Sequence, residues 1–146
     1  MTIRLEAVAP ALFEKLKVAS AVQQKEAAMA ACKLVFRKVP MPTTFTFVQD
    51  FMRHLSGNEK PPPRQTAELN RLAEKLDEDY LRLRESPDEE ENKKALLLFS
   101  QARAMCALVF AENDSFASLA ESVYEASMAL DDGGTVFDVV SRVLDG

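Results

Sequence analysis

The sequence has no tryptophan, one histidine, two cysteines and four glycines in 146 residues. Each shortage removes a class of protein. Few glycines and no tryptophan point away from turn-rich β architectures. Cys32 and Cys106 are too few for a disulfide framework. Each lies in an apolar helical run and reads as a buried, reduced thiol acting as a small hydrophobe. His54 is the only histidine, and Phe51 stands three residues before it. That excludes H-E-x-x-H and the Glu-x-x-His pairs of di-iron bundles. A Ser-His-Asp or Cys-His arrangement would have to use His54, and no nucleophile elbow accompanies it. No catalytic residue, metal ligand or cofactor is therefore assigned.

Long apolar runs are also missing. The best candidate, Leu96 to Ala111, is interrupted by Ser100, Gln101 and Arg103, so no membrane span is expected. The stretch from Met1 to Phe13 has neither the apolar core nor the cleavage site of a secretory signal. A soluble, cytoplasmic chain without membrane contact is the expectation. Nucleic-acid binding would need a basic face with readout residues. Lys33, Arg37, Lys38, Arg53, Lys60 and Arg64 form only a loose basic cluster, and a pI near 5.0 argues against phosphate binding.

What is present is helix-forming material. Apolar residues make up 47% of the chain, with alanine, leucine, glutamate and lysine prominent. The length suits one domain, residues 1–146, able to bury about two-thirds of its unfolded surface without a staple. The expected fold is all-α, an irregular or orthogonal bundle of about six helices. The first runs from Pro10 at N1 to about Phe36. Its stripe is weakest from Gln23 to Glu26, where a break would fall. Thr43 or Thr44 caps a second helix bearing Phe45, Phe47, Val48, Phe51, Met52 and Leu55, with Gly57 as its left-handed stop. The run of Pro61, Pro62 and Pro63 reads as a stiff connection.

A third helix, about Arg64 to Glu85, carries Leu69, Leu72, Leu76, Tyr80 and Leu83 on one stripe. Ser86, Pro87 and Glu89 have the pattern of cap, N1 and N3 for a fourth. That helix is apolar nearly all round from Leu96 onward and reads as the central one, with Leu96, Phe99 and Cys106 buried. Arg103 within it must pair with a carboxylate or reach water. Asp114 or Ser115 caps a fifth helix ending at Asp131-Asp132-Gly133-Gly134, read as a turn because it lacks calcium-loop spacing and a P-loop lysine. Thr135 or Asp138 caps a last helix with Val136, Val139, Val140 and Val143 inward. Its valines also suit a strand.

Charge is unevenly distributed. Residues 1–73 hold eleven basic and six acidic side chains, a net +5; residues 74–146 hold seven basic and seventeen acidic, a net −10. A concentrated acidic field suits a basic protein partner, because complementary fields speed encounter. Asp77, Glu78, Asp88, Glu89, Glu90 and Glu91 are the candidate binding residues. A compact acidic helical domain of this size without catalytic motifs resembles bacterial immunity proteins and other small inhibitors in type, though no motif carries the likeness. That implies a non-enzymatic module neutralising one partner. The alternatives are a structural subunit or homodimer using Phe47 and Phe51, and a small-ligand binder or enzyme with a helix-lined pocket around Arg103.

Overall fold

The computed structural model describes residues 3–43 and 45–146. Among them the secondary structure is entirely helical: α1 (Arg4–Val8), α2 (Pro10–Val18), α3 (Ala21–Lys38), α4 (Phe47–Ser56), α5 (Pro63–Arg84), α6 (Glu89–Ala111), α7 (Phe116–Met128) and α8 (Gly134–Asp145). The all-α, single-domain reading holds, with eight helices among the described residues in place of about six.

The extra helices come from divisions that capping groups decide. The expected first helix breaks at Ala19 and Ser20, a few residues before its weakest stripe. Ser20 closes a capping box: its Oγ accepts from the Gln23 amide, and Gln23 Oε1 accepts from the Ser20 amide. Pro10 does stand at N1. The short α1 before it carries too few residues to show a stripe, and only its Leu5 is buried. The terminal helix is helix throughout, although Gly133 rather than Thr135 or Asp138 is its N-cap. Gly133 is required there, because a Cβ would stand 2.8 Å from the Ser127 carbonyl oxygen.

Three other boundaries move. Thr46, with no side-chain cap, precedes α4 in place of Thr43; Thr44 lies outside the described residues. Asn58, not Gly57, takes the left-handed backbone after α4, at φ 57°, which asparagine tolerates best after glycine. Asp88 caps α6 by accepting from the Glu90 amide, while Ser86 Oγ accepts from the Asp88 amide. Pro87 is therefore outside the helix and Glu89 is N1. The Ser115 cap of α7 is as expected.

One hydrophobic core joins the helices. Helix α6 packs along α5 and α7 and touches α3; α3 packs on α7 and α8; α1 and α2 lie against each other and against α7. Phe51, Leu16, Met105, Leu108, Leu119, Val123 and Cys32 are fully buried at their junctions. Several polar groups inside are matched: Ser122 Oγ donates to the Ala107 carbonyl at 2.6 Å, and Gln101 Nε2 to the Pro40 carbonyl at 2.8 Å, while Gln65 Oε1 and Arg103 Nε are buried without a partner among the described residues.

Helix α6 has the length and hydropathy of a membrane span, contrary to the expectation from its polar interruptions. In this fold Ala102, Ala104, Met105, Ala107, Leu108 and Ala111 of its C-terminal half are buried. Its other half does not follow. Leu96 is 69% exposed and Leu97 41%, so the expected burial of Leu96 is wrong. Phe99 is half-buried, its ring centroid 5.1 Å from that of Tyr80. Cys106 is half-buried rather than buried.

Candidate functional site

Three features of the surface and interior carry chemistry beyond packing. The first is a chain of alternating charges joining four helices. Arg103 on α6 donates from Nη1 to Glu125 Oε2 at 2.8 Å, and from Nη2 to both carboxylate oxygens of Asp77 at 2.7 Å. The other oxygen of Glu125 accepts from Arg4 Nη2 at 2.6 Å. Arg4 also reaches Glu121 through Nη2 at 2.5 Å and through Nε at 2.9 Å, with its guanidinium 4.4 Å from the Tyr124 ring centre. The Glu125 side chain is 3% exposed and that of Arg103 17%. Burial opposes the charge on Arg103, but Cys106, Glu125 and Asp77 together raise its pKa. Arg4 shifts the same way: burial opposes, and Glu121 and Glu125 overcome it.

The pairing expected of Arg103 is therefore present, and its partners are Asp77 and Glu125. Both oxygens of Glu125 are held by guanidinium groups, so the arrangement works as a tie between α1, α5, α6 and α7. Asp77 belongs to this tie and not to an open acidic face. Cys106 lies in the same region, and burial pushes its thiol up to about 11 against the pull of Arg103. Cys32 is likewise raised to about 11 by burial, with Ser122 Oγ at 3.6 Å working the other way. Both are poor nucleophiles at neutral pH, since the thiolate is the reactive form. His54 faces Asp50 at 3.4 Å and Glu59 at 3.3 Å. The Asp50 carboxyl is held below its ordinary value, first by a hydrogen bond from Gln65. Among the described residues, no cluster of three potential metal ligands occurs.

The second feature is the outer face of the hairpin. Glu78, Asp88, Glu89 and Glu90 are exposed, as expected of a binding face, and Glu91 is half-buried. Glu90 pairs with Lys93 at 3.6 Å, and Asp79 with Lys75 and Arg82. Sequence reasoning places Glu74 on the outer face of α5 and misses Leu81 and Glu85. With Glu78 they fall at spacings of four, three and four, which is one face of a helix. All four are exposed. The described ion pairs include none of Glu74, Glu78 and Glu85. The outer face of α5, with Glu74, Lys75, Glu78 and Arg82, is legible opposite the buried stripe. The alternative interface is rearranged as well: Phe51 is fully buried and Phe47 half-buried, so the phenylalanine face of α4 serves the core.

The third feature is a cleft of about 640 Å³ between α3 and α4, floored by Met29, Leu55, Leu119 and Val143. It is not at Arg103, where the ligand-pocket alternative placed it.

Fold and surface together define a single-domain, all-α helical bundle with a part-buried charge tie joining α1, α5, α6 and α7. The chain matches no protein-family model, no curated protein and no solved structure.

Proposed function

We propose that this chain is a non-enzymatic protein-binding module, of the inhibitor or immunity type, that engages a basic partner through the outer face of the α5–α6 hairpin. One observation carries the reading: Glu74, Glu78 and Glu85 stand unpaired around exposed Leu81 on α5. Leu96 and Leu97 add apolar surface on the neighbouring helix. An apolar centre within a charged rim is the usual anatomy of a protein interface. The carboxylates steer a basic partner toward the face, and the leucines hold it.

The test uses the partner recovered from the native cell and compares association rates at two salt concentrations. Reversing Glu74, Glu78 and Glu85 to lysine should slow association strongly at low salt and less at high salt, because screening acts over about 8–10 Å. Leu81→Ala should leave the on-rate nearly unchanged and speed dissociation. An unchanged on-rate after the triple reversal contradicts the proposal.

A further inference from the structure

We propose that the cleft between α3 and α4 binds one linear apolar molecule with an anionic head group, a fatty carboxylate in chemical class. Its volume of about 640 Å³ lies within the range of small-molecule sites, which are mainly apolar with a few placed polar groups. Helix α3 forms one wall from Ala21 to Lys33, a length of about 18 Å at the helical rise per residue. That shape suits an extended chain. Met29, Leu55 and Leu119 are buried and form a floor reaching to the core, whereas Val22 at the mouth is 68% exposed.

Charge gives the cleft a direction. At one end Lys25 is bound to the Ala111 carbonyl and, at 3.0 Å, to Asp114. Glu26 beside them joins no described ion pair, so this end is close to neutral with one carboxylate in excess. Two turns further along α3 stands Lys33, followed by Arg37 and Lys38, with no acid between Cys32 and Lys38. Of these three cations only Lys33 lines the cleft, Arg37 and Lys38 lying beyond it, and none joins a described ion pair. An anionic head is thus drawn to the Lys33 end, and its chain lies over Ala30 and Met29 toward Val22. This site is separate from the acidic hairpin face, so either can fail while the other stands.

The experiment titrates sodium decanoate into isotope-labelled full-length protein and follows the amide resonances. One molecule per chain should bind, shifting amides of α3 and of Leu55 to Asn58. Decyltrimethylammonium, with the same chain and the opposite head, should bind at least about tenfold more weakly, as should decanoate to Lys33→Glu. Ala30→Trp should fill the cleft and abolish saturable binding with the thermal midpoint retained. If that variant does not fold, Val22→Trp at the open mouth makes the same test. Absence of saturable shifts in the cleft overturns the proposal. So does equal or tighter binding of the cationic probe, or undiminished binding to a folded tryptophan variant.

Discussion

The two ends of α6 both carry large apolar side chains, and those side chains meet different fates. From Ala102 to Ala111 the helix is mostly enclosed, with Ala102, Ala104, Met105, Ala107, Leu108 and Ala111 buried. From Glu89 to Leu98 only Ala95 is buried, and Leu96 and Leu97 are exposed. Apolar character alone therefore does not decide burial. The enclosed half holds the fold together, while the projecting half offers surface.

This contrast predicts unequal costs for the same truncation. Leu108→Ala, within the enclosed half, should destabilise by about 2–5 kcal/mol through lost burial and a cavity. Leu96→Ala should change stability by under about 0.5 kcal/mol. Denaturant unfolding of the two variants measures both, and equal losses would erase the distinction.

The charge pairs divide in the same way. Glu125→Gln leaves Arg103 and Arg4 short of a buried counter-charge and should cost about 2–3 kcal/mol, moderated because Arg4 reaches water. Glu90→Gln removes only the exposed pair with Lys93 and should cost about 0–1 kcal/mol. Unfolding curves for the two substitutions should differ accordingly.

The thiols sharpen the description of the enclosed region. Burial raises Cys32 and Cys106 from 9.0 to about 11. A raised folded pKa gives a contribution fully present below the unfolded value and lost as pH climbs through the folded one. Stability should therefore fall between about pH 9 and 11, and fall less in the double variant Cys32→Ala, Cys106→Ala, as read by thermal midpoints across that range. At neutral pH, half-buried Cys106 should label with a thiol reagent before fully buried Cys32. The reverse order would place the core wrongly.

Helix existence was legible from caps and stripes: the stripe of α5 and the Ser115 cap of α7 stand as read. Boundaries were less legible where two capping groups competed. Ser86-Pro87 and Asp88 offer similar starts to α6, and only the folded chain shows that Asp88 holds the Glu90 amide. The need of Arg103 for a carboxylate was also legible. Its partners, Asp77 at 26 residues' separation and Glu125 at 22, were not, because side-chain partners across helices depend on packing geometry. For the same reason, an acidic tally along the chain could not separate Asp77, which is tied to Arg103, from Glu74 and Glu85, which face outward.

A small expected change in stability on the outer face of α5 is the most informative about function. Converting Glu74, Glu78 and Glu85 to lysine should shift unfolding by well under about 1 kcal/mol per site, since these charges are exposed. A large loss would show that the outer face of α5 supports the fold instead of being free to bind.

The most direct measurement places a photoreactive residue at Leu81 and, in a separate variant, at Val18, which is 83% exposed on α2. After irradiation in the native cell, position 81 should yield one discrete cross-linked species containing a basic protein, and position 18 should not. Cross-linking from Val18 with none from Leu81 would contradict the assignment of the hairpin as the binding surface.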